Sequence, residues 1–210
     1  MTPFQFNLMR GLVYAELRLR GYKIEEGASS PEELQYLYET ARRPGIIRIA
    51  EIGFHLGFSS YAFLKANEKT TVTSFDKKEY AFVPAAKKII DRKFPGRHSM
   101  VYGDSTETVP EFAAKNPNVK FDLIFIDGGH DYEIAKADLR NMRSLAHEKT
   151  LIIMDDLTPW LPWGKGPAQA WAEAICDKKV QQLELYQDGK QVEVVAPPGA
   201  RAWGLGKYVL

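Results

Sequence analysis

Cysteine is almost missing from this sequence. Of 210 residues only Cys176 carries a thiol, which rules out an intramolecular disulfide and a cysteine-rich zinc site and suits a reducing compartment. Net charge is nearly missing too: 28 Lys and Arg against 27 Asp and Glu leave +1. A chain so balanced lacks the broad positive field of a general nucleic-acid binder; no nucleic-acid partner is expected, although a local basic patch stays open. No uninterrupted apolar run approaches the roughly 18 residues that span a bilayer, so no membrane partner is expected either. The N-terminus mixes Arg10, Arg18 and Arg20 with its apolar residues and shows no small-residue cleavage site. A signal peptide is therefore not expected, and the expected location is cytoplasmic. What is present is a globular composition, 45% apolar and 26% charged. The length fits one α/β domain with some decoration better than two independent cores.

The chain divides by the period of its apolar residues. Leu8, Leu12, Ala15 and Leu19 form one helical row that Gly21 closes. After a short linker, Gly27-Ala28-Ser29-Ser30, the pattern Ser30-Pro31-x-Glu33 is a capping-box start for a second helix, which runs to about Arg43. Residues 1–45 thus read as a helical appendage, a plausible contact surface for a homo-oligomer, and residues 46–210 as the main domain. From residue 46, short apolar runs alternate with helices. Ile46–Ile52, Thr71–Phe75, Ser99–Tyr102, Phe121–Ile126 and Thr150–Met154 read as strands. Runs such as Leu123-Ile124-Phe125-Ile126 are apolar without alternation, as in a parallel sheet covered on both faces. The expected fold is α/β, a doubly wound, Rossmann-like, mostly parallel seven-stranded sheet. An antiparallel C-terminal hairpin is expected around Asp188-Gly189-Lys190.

In such sheets ligands bind beyond the carboxyl ends of the strands. The first end reads Glu51-Ile52-Gly53-Phe54-His55-Leu56-Gly57-Phe58-Ser59. Gly53 permits a sharp turn and close approach, Gly57 opens the next helix, and Ser59 sits in its first turn, where a helix N-terminus can take up a carboxylate. The bulky Phe54-His55-Leu56 departs from a dinucleotide-type glycine fingerprint, and a plain tight turn explains the segment equally well. Asp76 ends the second strand, placed to accept from ribose hydroxyls or to stand in solvent. Gly103-Asp104-Ser105 follows the third, able to read an adenine amine or simply to cap a helix. The fourth and fifth strands end in Asp127-Gly128-Gly129-His130 and Asp155-Asp156. Adjacent parallel strands lie about 4.8 Å apart, so Asp127, Asp155 and Asp156 would converge. Convergence is costly without a cation, and an all-oxygen set suits a hard divalent one. His130, three positions after Asp127, is placed to act as a general base. Trp160-Leu161-Pro162-Trp163-Gly164-Lys165 follows and reads as a loop able to cover a substrate, with glycines as hinges.

These residues carry a resemblance. Glu51-x-Gly53-x-x-x-Gly57-x-Ser59, Asp76, Gly103-Asp104-Ser105 and Phe121-Asp122-Leu123-Ile124-Phe125-Ile126-Asp127-Gly128-Gly129-His130 resemble the class I S-adenosylmethionine-dependent methyltransferases over about residues 45–160. More narrowly they are similar to the metal-dependent O-methyltransferases of catechol and macrolide-sugar type. The resemblance implies S-adenosyl-L-methionine bound by Glu51, Gly53, His55, Gly57, Ser59, Asp76, Asp104, Ser105 and Asp127. It implies a divalent cation, Mg²⁺ first, on Asp127, Asp155 and Asp156, with His130 as catalytic base. Asp156, where catechol enzymes carry Asn, tilts the likeness toward the sugar branch. The missing Asp/Asn-Pro-Pro-Tyr motif disfavours methylation of a nucleobase amine. The implied activity is O-methylation of a small hydroxylated substrate. A metal-independent methyltransferase and a catalytically silent binding protein of the same fold stand as alternatives.

Overall fold

The computed structural model describes residues 1–24 and 29–210; Gly27 and Ala28 of the expected linker lie outside the described residues. Helices α1 (Pro3–Leu19) and α2 (Pro31–Ala41) come first. Each opens with a complete capping box, on Thr2/Gln5 and Ser30/Glu33, with Pro in the first turn where no N–H partner is required. The alternating core follows: β1 (Arg48–Ile52), α3 (Phe58–Ala66), β2 (Thr71–Asp76), α4 (Val83–Lys93), β3 (His98–Tyr102), α5 (Ser105–Lys115), β4 (Phe121–Ile126), α6 (Tyr132–Met142), β5 (Ala146–Met154) and α7 (Lys165–Cys176). Strands β6 (Val180–Gln187), β7 (Lys190–Gln191) and β8 (Ala202–Tyr208) close the chain.

The eight strands form one sheet in the order β3-β2-β1-β4-β5-β8-β6-β7. Strands β1 to β5 are parallel; β8 pairs antiparallel with β5, and β6 pairs antiparallel with β8. The expected C-terminal hairpin is present, β6 pairing antiparallel with β7 across Asp188-Gly189, but it is short. Its second arm is only Lys190–Gln191, and the full-length partner of β6 is β8, inserted between β5 and β6. A run of apolar residues at 192–195 cannot reveal that a later strand carries more ladder bonds. Side-chain alternation sorts the central strands between two layers. Ile49, Leu123, Phe125 and Ile153 face α1–α4, whereas Ala50, Ile52, Ile124, Ile126, Ile152 and Met154 face the other layer with Val109, Leu139 and Trp171.

The N-terminal helices pack into the first of these layers. Phe6, Met9, Val13 and Leu17 of α1 and Leu34 and Leu37 of α2 are buried in the same cluster as Ile49 and Leu123. The other row on α1 faces solvent, with Leu8 59%, Leu12 65% and Leu19 89% exposed. Helix α2 is also tied to β6: Tyr36 Oη donates to Glu184 at 2.9 Å, beside the Arg43–Glu184 ion pair, also 2.9 Å.

Candidate active site

The winding direction reverses between β1 and β4, and the ends of β1, β4 and β5 are level there. Ile52 pairs with Ile126, and Ile126 with Met154. Backbone bonds carry this alignment one residue further: Asp127 N–H donates to Ile52 O and Asp155 N–H to Ile126 O, both 3.0 Å. Gly53, at φ +91°, has the Asp127 carbonyl so close that a Cβ would stand 1.8 Å from its oxygen. The glycine is thus required by the neighbouring strand end itself. Gly57, at φ +74°, lacks room for a Cβ because the Phe54 ring would lie 2.7 Å from it.

On this level sit the acids. Among the described residues, Asp127, His130 and Asp156 each offer a ligand atom, all within 4.8 Å of one another. His130 Nε2 is 2.9 Å from Asp156 Oδ2, and that carboxylate raises the imidazole pKa above its ordinary value. Asp156 is buried and adopts φ +58°, an uncommon conformation for a residue with a Cβ, and one that Asp tolerates better than most. Asp127 is pushed well above the usual carboxylate range by burial, then by Asp155 and Asp156. Asp155 stands apart from the His130 cluster. It is buried, its Oδ1 has no partner, and burial with the Asp156 charge raises it to about 7. Of the three expected ligands, the structure gathers Asp127 and Asp156 with His130 and turns Asp155 toward α2. An orphaned buried carboxylate oxygen beside two further acids fits a hard divalent cation, since a cation would offset desolvation and mutual repulsion together.

The expected cofactor residues form the β1–α3 turn and its surroundings. Ser29, Gly53, Phe54, His55, Leu56, Phe58, Ser59 and Asp127 line a small cleft. Glu51 is fully buried behind it, accepting from Ser59 at 2.8 Å, from Ser74 at 2.5 Å and from Ser60. Burial raises its pKa to about 7 against the three hydroxyl bonds. Glu51 therefore reaches the cleft through Ser59. Asp76 Oδ2 accepts from the N–H groups of Phe54 and His55, both at 3.0 Å, and its Oδ1 from Lys78 N–H at 2.6 Å. His55 itself sits at φ +46° with its ring edge-on to Tyr80 and Phe82. Asp104 caps α5 through Thr106, and that bonding lowers its pKa; Ser105 is the first residue of the helix.

Several groups at this end escape a reading of the sequence. Glu33 is fully buried on α2 and meets Asp155, Asp127 and Arg201; its sequence signal, Ser30-x-x-Glu33, reads only as a helix cap. Asp138 on α6 is fully buried, with both oxygens lacking full hydrogen-bond partners; burial raises it to about 7, with the Ser105 hydroxyl opposing. A polar residue inside the apolar face of α6 is the signal that could have marked it. His98, at a strand end that reads as surface, is buried with Nε2 2.7 Å from Ser74 Oγ. The glycines of the 157–166 loop also read differently. A Cβ on Gly164 would lie 2.2 Å from Thr158 Oγ1, and one on Gly166 2.2 Å from the His130 carbonyl oxygen. They are points of close packing that seat α7 against the site, where hinges were expected.

The level strand ends at a winding reversal, the glycine turn and the acids define a class I S-adenosylmethionine-dependent methyltransferase. Residues 50–157 match the family described as Methyltransferase domain, and the chain belongs to it. No curated protein matches the sequence. Solved structures share the fold at low identity. The O-methyltransferase from Bacillus cereus, in complex with SAH, is 18% identical, covering 93% of this chain and 88% of that one, at a TM-score of 0.72. TomG from Streptomyces achromogenes, an O-methyltransferase of tomaymycin synthesis in complex with SAM, is 18% identical over 86% and 81%, at 0.68. CalS11, a TDP-rhamnose 3'-O-methyltransferase of calicheamicin biosynthesis, is 22% identical over 81% and 76%, at 0.61.

Proposed function

We propose that this protein is a divalent-metal-dependent O-methyltransferase that moves the methyl group of S-adenosylmethionine to a hydroxyl of a small molecule of sugar or vicinal-diol type. The observation that carries this reading is His130, its Nε2 2.9 Å from Asp156 and within 4.8 Å of Asp127. An imidazole beside carboxylates at the strand ends is a general base placed for a substrate O–H. The resemblance to O-methyltransferases, and the fold shared with three solved O-methyltransferases, support a hydroxyl acceptor.

The cleft at the β1–α3 turn would take the methionine part of the cofactor, with Ser59 and the backbone of Gly53 and His55 on its walls. Gly57 and Asp76 would shape that turn, and Asp104 with Ser105 would stand at the adenine end. Asp127, Asp155 and Asp156 would hold the cation. A divalent ion held there would supply Lewis-acid stabilisation of negative charge developing on a substrate oxygen. His130 would accept the hydroxyl proton at Nδ1, the ring nitrogen not engaged by Asp156, and Asp156, 2.9 Å from Nε2, would stabilise the imidazolium that forms. Proximity of acceptor oxygen and methyl carbon supplies much of the acceleration.

The test is methylation of a panel of sugars and diols, read as the mass gain of one methyl group, with and without chelator. Wild type is expected to turn over and to lose activity when chelated; His130→Ala is expected to lose about 10²- to 10⁴-fold in kcat while binding S-adenosylhomocysteine normally. Turnover indifferent to chelator would leave a metal-independent methyltransferase. Cofactor binding with no turnover on any hydroxyl would leave a silent binding protein.

A further inference from the structure

The deepest polar group at the site comes from outside the matched family segment. Glu33 lies on α2, before residue 50 where that match begins. It is fully buried, and its Oε2 accepts from Ser30 N–H at 3.3 Å as one half of a capping box. Its Oε1 receives no N–H or hydroxyl donor. A cap needs neither such burial nor a second, unbonded oxygen, and most Glu residues at this helix position stand in solvent. The buried carboxyl is close enough to Asp155 for the two to share a hydrogen bond, and it feels the charge of Asp127. Asp155 Oδ1 is likewise buried and unpartnered. Arg201, from the segment before β8, stands where its charge acts on Glu33, Asp155, Asp156 and Asp127.

Carboxylates that ligate a metal are themselves held by hydrogen bonds from an outer layer, and that layer fixes their orientation. We propose that Glu33 is such a positioning residue: it bridges helix α2 to Asp155 and sets the direction in which Asp155 presents its oxygens to the cation. The inference rests on the metal-dependent reading above and deepens it. It gives α2 a role in metal affinity, separate from its role in covering the sheet.

The experiment is direct titration of the full chain with Mn²⁺, read by electron paramagnetic resonance of the free ion or by calorimetry. Glu33→Leu is expected to weaken Mn²⁺ binding about 10- to 100-fold, the usual cost of losing an outer-layer partner. Glu33→Gln, whose amide can still donate to Asp155 and still cap α2, is expected to stay within about threefold of wild type by the same reasoning. Ser30→Ala removes the cap and leaves Glu33 in place; it is expected to lower Tm and to leave Mn²⁺ affinity unchanged. The affinity for S-adenosylhomocysteine should be the same in all four proteins. Unchanged Mn²⁺ binding in Glu33→Leu overturns the inference. Should that variant fail to fold, Glu33→Gln decides: binding reduced by tenfold or more makes Glu33 a charged ligand and overturns the bridging role. A wild type that takes up no Mn²⁺ overturns the metal-dependent reading, and this inference falls with it.

Discussion

At the scale of single residues, the site is built from carboxyl groups whose surroundings oppose their ionisation. Asp138 shows the consequence most simply. Its pKa is raised from the ordinary carboxylate range to about 7 by burial. In the folded protein it keeps its proton up to that pH, whereas the unfolded chain releases it near 4. The folded state therefore gains stability from this residue at low pH and loses it progressively as pH rises from about 4 to about 7. Asp138→Asn, which mimics the neutral acid, removes that slope. Urea unfolding is expected to show the variant gaining on wild type between pH 4 and pH 7, by on the order of 4 kcal/mol if the whole shift is expressed. Equal slopes for the two proteins would place the Asp138 carboxylate in contact with a counter-charge. Residues of this kind were hidden in the sequence. Asp127, Asp155 and Asp156 could be picked out because they end apolar strands, whereas Glu33 and Asp138 lie within helices, where an acid usually faces water.

At the scale of elements, the strands themselves were legible and the order of the C-terminal ones was not. Unbroken runs such as Leu123–Ile126 state their own burial, because both faces of a central strand are covered. The order in which β8 and β6 join β5 depends on long-range ladder bonds that leave no local trace. Helix α1 shows the same limit: the row read from the sequence, Leu8, Leu12 and Leu19, faces solvent, and packing buries Phe6, Met9, Val13 and Leu17 in its place. The junction of β1 with β4 yields a sharp prediction. Gly53→Ala must push the Asp127 carbonyl away, since the new Cβ would stand 1.8 Å from that oxygen at a φ of +91°. Overpacking and the unfavourable φ together are expected to cost about 2–4 kcal/mol. Differential scanning calorimetry should show a Tm lower by roughly 5–15 °C at the usual 2–4 °C per kcal/mol for a chain of this size.

At the scale of the whole molecule, near-neutral charge conceals an uneven distribution. The balance of 28 basic and 27 acidic residues coexists with Glu33, Asp127, Asp155 and Asp156 gathered near Arg201 and His130. The folded protein without a cation must tolerate that crowding, so a cation that binds only the folded state should stabilise it. Millimolar Mn²⁺ is expected to raise Tm of the chelator-treated protein by several degrees, about 2.7 kcal/mol being available at one hundred times Kd. Asp156→Asn should raise Tm in chelator and shrink the Mn²⁺ effect. A wild-type Tm indifferent to Mn²⁺ would show that Arg201 and His130 suffice to neutralise the cluster.

The placement of Glu33 and Arg201 has a temporal side. The acids Asp127, Asp155 and Asp156 are made by the middle of the chain, but their partners come from α2, near its start, and from the segment leading into the last strand. During synthesis the site stays incomplete until residue 201 and β8, which inserts between β5 and β6, have been made. A shortened chain ending before residue 201 would carry all three acids without their guanidinium.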